Sequence, residues 1–158
     1  MKRLVVYLTT LFTLLSGLMM LVHGPIGQPA NYHDFADHAN FLGIPYANDV
    51  LSNLGFALVG FWGTLRLWPQ RQHRALLAGR VGYGVFLIGL ILTALGSAYY
   101  HLAPDNDRLL WDRLPIALAC AGLLAGAWAE TALPKRWVFA ATSLLVIYAI
   151  ASVLWWYV

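Results

Sequence analysis

The sequence predicts an all-α protein, a polytopic membrane helical bundle, and three observations carry that expectation. Hydrophobic residues fill 60% of the 158 positions and charged residues only 11%, where soluble domains carry roughly a quarter charged. The apolar residues gather into five runs, each near the roughly 20 residues that a helix needs to cross a bilayer core. The basic residues fall on alternate connections, with Lys2, Arg3, Arg66, Arg71, Arg74, Arg80, Lys135 and Arg136 on one side and Arg108 and Arg113 on the other. That division is the positive-inside pattern, so the basic side, with the N-terminus, is expected to be cytoplasmic.

The elements follow in order within a single transmembrane domain, residues 1–158. Residues 1–23 are an N-terminal anchor helix. The apolar run from Leu4 to Val22 follows Lys2-Arg3 and is longer than a signal-peptide core, and Val22-His23-Gly24-Pro25 offers no small-x-small cleavage site. His23 reads as an interfacial cap. The connection from Gly24 to Asp49 carries Asp34, Asp37 and Asp49 with no lysine or arginine. Clustered oxygen ligands suit a hard cation, although EF-hand spacing is absent; a solvated loop is the other reading. Asp49 also stands where the N-cap of the second span would lie.

The second span is expected over about Val50 to Trp68. Asn53, near its start, reads as a cap or an interhelical hydrogen-bonder. The third span, about Val81 to Tyr100, is thinned by Gly82, Gly84, Gly89 and Gly96, and small residues let neighbouring backbones approach, which places it mid-bundle. The fourth is expected from Leu114 to Thr131, with Pro115 in its first turn, Asp112 as N-cap, and Gly122 and Gly126 for close packing. The last, Trp137 to Val158, closes with Trp155-Trp156-Tyr157, aromatics of the kind that collect at membrane interfaces. A lone cysteine, Cys120, excludes an internal disulfide and reads as an inert buried thiol. The net charge of +3 comes from residues in the connections, so it reports orientation and gives no sign of a nucleic-acid partner.

Polar chemistry interrupts the apolar chain between Gly96 and Pro115. Ser97 and His101 are one helical turn apart on a shared face, and Asp112 follows across a short turn. A hydroxyl, an imidazole and a carboxylate then meet at one membrane boundary, which makes a metal site or an acid-base site. Asp34, Asp37, Asp49, Asp105 and Asp107 lie on that same side, as do His23, His33 and His38. The site is therefore expected to face the periplasm or exterior.

Four segments together resemble the alkaline ceramidase family, in its bacterial form, within the membrane-hydrolase superfamily that includes the adiponectin receptors. They are Phe41-Leu42-Gly43-Ile44-Pro45, Leu51-Ser52-Asn53, Gly96-Ser97-Ala98-Tyr99-Tyr100-His101, and Asp112-Arg113-Leu114-Pro115. The resemblance covers the ceramidase-like helices of residues 24–158 and leaves the first helix as an addition. It implies a zinc-dependent hydrolase of the bacterial inner membrane that cleaves the amide of ceramide-like lipids. It makes His101 a zinc ligand, Asp112 the partner of the zinc-bound water and acceptor of its proton, and Ser97 the donor to the oxyanion. Asp34, Phe35 and Asp37, with Asn40, resemble the family's calcium loop, while Tyr46 stands where the family has a further acid. The family completes its zinc site with an H-x-x-x-H pair on its final helix, and no histidine follows His101 here. An incomplete form is therefore expected, needing a C-terminal segment or a partner chain. A non-enzymatic membrane subunit or lipid-binding receptor stays open as a second class, since it needs the bundle without zinc. So does a different metal site drawing His33 and His38 to His101.

Overall fold

Apolar runs of this length have few side chains with which to satisfy their own backbone, so the N–H and C=O groups pair within helices. The computed structural model describes residues 2–74, 76–131 and 133–158, with the backbone alone for Lys2 and Arg3. The order is α1 (Lys2–His23), β1 (Asn40–Phe41), β2 (Ile44–Pro45), α2 (Ala47–Ser52), α3 (Leu54–Gln70), α4 (Arg80–Leu102), α5 (Asn106–Thr131), a 3-10 turn (Lys135–Trp137) and α6 (Val138–Tyr157). Five helical stretches are long and apolar enough to cross a membrane: Leu4–His23, Ala47–Gln70, Arg80–Leu102, Asn106–Thr131 and Lys135–Tyr157.

Between α1 and α2 the chain makes a two-stranded hairpin, with Asn40 paired to Pro45 and Phe41 to Ile44. Leu42 and Gly43 both have positive φ, 50° and 83°, as a tight hairpin turn of the primed type requires. The hairpin delivers the chain to α2, whose N-terminus is held by a distant residue. Asp37 accepts hydrogen bonds from the backbone N–H groups of Asn48 (2.8 Å) and Asp49 (3.1 Å), so Asp37 takes the capping place expected of Asp49, which lies inside α2. Asn53 interrupts the second span between α2 and α3, and its side chain donates back to the Asp49 carbonyl at 2.9 Å. It neither caps α3 nor bridges to another long helix.

The centre of the molecule is the α4–α5 seam. The three glycines Gly82, Gly89 and Gly96 are seven residues apart, a spacing that keeps them on one stripe of a helix packed at a shallow angle. A methyl group on Gly89 would meet the Ala119 backbone at 2.7 Å, one on Gly82 would meet the Gly122 carbonyl at 2.7 Å, and one on Gly96 would collide with the Trp111 carbonyl. That carbonyl is free to approach because Pro115, four residues on, has no N–H to offer it. Gly84, expected in the seam, faces open space instead.

The fourth helix corrects the expected boundary. It begins at Asn106, well before Leu114, so Pro115 sits inside it and Asp112 is a helical residue, not an N-cap. Asp105 does the capping, its carboxylate accepting from the Arg108 N–H at 2.7 Å. The α6 helix packs on α5 through Ala121, Ala125, Leu145 and Ala149. The first helix is pinned more sparingly, by a Ser16–Tyr148 hydroxyl contact of 2.8 Å and a Tyr148–Met20 contact of 3.6 Å. Cys120 is exposed on α5, not buried. Contacts such as Tyr157 to Asp107 (2.9 Å) and Arg113 over Trp156 (4.0 Å) bring the C-terminal end of α6 to the N-terminal end of α5. The expected site residues all lie at this acidic end.

Candidate functional site

Helix α4 brings Ser97, Tyr100 and His101 to the acidic end, on successive turns of its C-terminal part. Ser97 and Tyr100 are buried, at 7% and 3% exposure. The His101 ring lies between two aromatic neighbours, Phe35 at 4.8 Å and Tyr100 at 5.1 Å between ring centroids. Its Nδ1 is buried and has no hydrogen-bond partner. The nearest acid is Asp49, whose carboxylate lies 3.7 Å from that nitrogen, too far for a hydrogen bond. Asp112, from α5, likewise ends in a buried oxygen, Oδ1, without a partner. Unpaired buried polar atoms are costly and uncommon, because each has given up its water without a replacement. Two of them at one end of the bundle mark a place where a polar ligand would be stabilised.

The loop before the hairpin closes over this end through His33. Its Nε2 meets Asn106 Oδ1 at 3.0 Å and its Nδ1 meets the Tyr100 hydroxyl at 2.9 Å. An amide oxygen only accepts, so Nε2 carries the proton and, in the neutral ring, Nδ1 accepts from the tyrosine. Both nitrogens of His33 are thereby engaged. His38 is exposed. The structure thus does not gather His33 and His38 around His101 as a metal site.

Asp37 is similarly committed. Besides α2, its carboxylate accepts from the Ala39 N–H (2.9 Å) and the Asn48 side-chain amide (3.0 Å). The Ala39 N–H, followed by those of Asp49 and Asn48, holds its carboxyl below the usual carboxylate range. Four donors occupy what are about four lone-pair sites on a carboxylate, and Asn40 Oδ1 accepts from the Gly43 N–H at 3.2 Å. Asp34 is exposed. Asp37 and Asn40 therefore serve the loop's own hydrogen bonding, and the trio Asp34, Asp37 and Asn40 does not fit a calcium ion. Zinc fares no better. A catalytic zinc normally takes three protein ligands, and among the described residues no group of three His, Cys, Asp or Glu could hold a metal.

Sequence spacing brought Ser97, His101 and Asp112 forward, and the structure puts all three at the ends of α4 and α5. The groove between those two helices is lined by others, among them Leu95, Gly96, Tyr99 and Trp111. Sequence reasoning put Asp49 and Phe35 on this side of the molecule without bringing either to His101, and it passed over Tyr100 and Asn106, of which Tyr100 had a signal in its place beside His101. The fold and these residues define an all-α chain with five helices long and apolar enough to cross a membrane, and buried, unpartnered polar atoms on His101 and Asp112. No family model, curated protein or solved structure matches the chain.

Proposed function

We propose that the chain is a polytopic inner-membrane protein of the alkaline-ceramidase type, with Ser97, His101 and Asp112 addressed to the amide of a ceramide-like lipid. The observation that carries this reading is the pair of buried, unpartnered atoms, His101 Nδ1 and Asp112 Oδ1. An amide supplies what both lack. Its N–H donates to the carboxylate, and its carbonyl accepts from a protonated imidazole nitrogen, with the Ser97 hydroxyl one turn below as a second donor. The resemblance assigns hydrolysis to this end of the family's bundle, but of the imidazoles here that of His33 has both nitrogens engaged, and the described residues show no group of three that could hold a metal. On its own the chain binds the lipid amide without cleaving it. A non-enzymatic lipid-binding subunit is the second reading, favoured by that same ligand shortage.

Three measurements on the purified chain test the amide reading: zinc content, amide release from ceramide, and ceramide binding. The expected result is binding without stoichiometric zinc or turnover, weakened in His101→Ala and Asp112→Asn. Zinc-dependent turnover would make the chain an enzyme with a ligand set not recognised here. Failure to bind ceramide, or binding unchanged by both substitutions, would sink the amide reading.

The division of basic residues supports an orientation with Arg71 and Arg74 in the cytoplasm and His33 outside. A cysteine placed at Arg71 should resist an impermeant thiol reagent in intact cells, whereas one placed at His38 should react. The opposite pattern would invert the topology.

A further inference from the structure

A large cleft lies away from His101. It is a cavity of about 660 Å³ between the C-terminal parts of α1 and α6, with Arg113 of α5 in its wall. A second cavity of about 240 Å³ continues along α1, α5 and α6, reaching Leu124 and Leu145. The two share Ser16 and Ser152 in their walls, so they adjoin along the α1–α6 cleft. Its ends on α5, Arg113 and Leu124, are 11 residues apart, or about 17 Å at 1.5 Å per residue. That is close to half of a hydrocarbon core about 30 Å thick. The cleft opens on the flank, where Met19, Ile26 and Trp155 keep 60%, 77% and 41% of their surface exposed.

The wide end is mostly apolar in its lining and carries one fixed cation, Arg113, beside Gln28 and Trp156. The Arg113 guanidinium lies 4.0 Å above Trp156 and 5.4 Å from the Tyr32 ring. It donates to the Tyr32 hydroxyl at 3.1 Å. With the Gln28 amide turned so that its oxygen faces donors, that oxygen accepts from both terminal nitrogens, at 2.6 and 2.8 Å, and from Trp156 Nε1 at 3.0 Å. These partners are all neutral. Among the described residues the close ionic contacts are Arg108 with Asp105 and His101 with Asp49, and no carboxylate pairs with Arg113. Asp107 takes the Tyr157 hydroxyl, and Asp112, next to Arg113 in the chain, makes no ion pair with it. Arg113 is thus held in place by stacking and neutral acceptors while its charge stays uncompensated, and it keeps N–H groups to spare from its five.

From this geometry we infer that the cleft binds one anionic phospholipid of the leaflet at the acidic end, with its phosphodiester on Arg113 and one acyl chain running toward Leu124. A planar guanidinium fork matches phosphate oxygens, and interfacial tryptophans sit at headgroup depth. The apolar lining below Arg113 gives a soluble anion nothing to hold, whereas an acyl chain follows it for half the bilayer. A zwitterionic headgroup is disfavoured because its ammonium would face Arg113 and His23 with no carboxylate. The inference does not rest on the amidase reading, which concerns a neutral lipid at His101 and Asp112.

The test is native mass spectrometry of the full chain offered equimolar phosphatidylglycerol and phosphatidylcholine of matched acyl length. The wild type should retain one phosphatidylglycerol in preference to phosphatidylcholine. Arg113→Gln should lower that retention about tenfold and remove the preference, while Arg113→Lys, which keeps the charge, should retain part of it. Ser152→Phe, filling the junction of the two cavities, should weaken retention of both lipids, and glycerol phosphate without a tail should not compete. Equal retention of the two lipids by the wild type, unchanged retention in Arg113→Gln, or competition by glycerol phosphate as effective as by the lipid would each overturn the proposal. If Arg113→Gln does not fold, Arg113→Lys and Ser152→Phe decide it, since loss of neither preference nor retention in both would be equally fatal.

Discussion

Helices α1 and α4 have almost the same apolar character, with mean hydropathies of 2.1 and 1.9 over their most apolar stretches, yet none of that stretch of α1 is buried against 33% of that of α4. Apolar composition places a helix in a membrane without deciding what it packs against, because lipid tails are as apolar as leucine. What differs is the distribution of small residues. The α4 helix carries Gly82, Gly89 and Gly96 on one stripe against α5, while α1 has the single Gly17, whose added methyl would meet only the Tyr148 ring at an ordinary 3.5 Å. The seam is held by backbone proximity and the α1 contact by a few side chains with an open cleft beside them.

The largest effect expected from this contrast comes from Gly96→Leu. Its side chain would be driven into the Trp111 carbonyl, and overpacking of this kind costs about 1–3 kcal/mol or more when backbone must move. Thermal unfolding in detergent should register that loss, and Gly84→Leu on the same helix, where nothing lies within 4 Å, should leave stability nearly unchanged. If the two variants behave alike, the seam is not where the close approach lies. Tyr148→Phe tests the other side of the comparison. It removes the hydroxyl that reaches Ser16 and Met20, and interhelical hydrogen bonds in membranes average about 0.6 kcal/mol. Cross-linking between cysteines on α1 and α6 should fall in that variant while the unfolding temperature of the whole moves little; an equal drop in both would mean that α1 is part of the cooperative core.

A smaller effect is expected where the loop is pinned by charge and not by packing. The folded state holds the Asp37 carboxyl below its ordinary value, chiefly through the Ala39 N–H, so this carboxylate stabilises the fold above its unfolded pKa of about 3.9 and the contribution is lost as pH falls through the lower folded value. Asp37→Asn should therefore flatten the acid limb of the stability profile and leave neutral-pH packing of α4 on α5 unaltered. An acid limb identical to that of the wild type would show that another carboxylate governs it.

Much of the architecture was legible because it rests on local or periodic properties. Five apolar runs, the glycines of the third span and the clustering of acids at one end are all one-dimensional patterns. The start of α5 was not legible. Proline favours a first turn and the charges from Asp105 to Arg113 break the apolar run, so both cues pointed to a start near Leu114. The helix nonetheless continues through them, because Asp105 caps it and Gly96 leaves room for the Trp111 carbonyl that Pro115 releases. That accommodation is made by a residue on another helix.

The amino-acid sequence by itself determined that the chain would be helical, how many long apolar helices it has, and that Ser97, His101 and Asp112 would reach one end, since hydropathy and the 3.6-residue period act within a segment. Only the tertiary structure decided which polar groups are used up and which are left over. Asp37 is spent on α2 and His33 on Tyr100 and Asn106, while His101 Nδ1 and Asp112 Oδ1 remain without a hydrogen bond and Arg113 without an ion-pair partner. Each of those outcomes depends on partners from distant parts of the chain, and hydrogen bonding and ion pairing are settled by distance in space once the helices have packed.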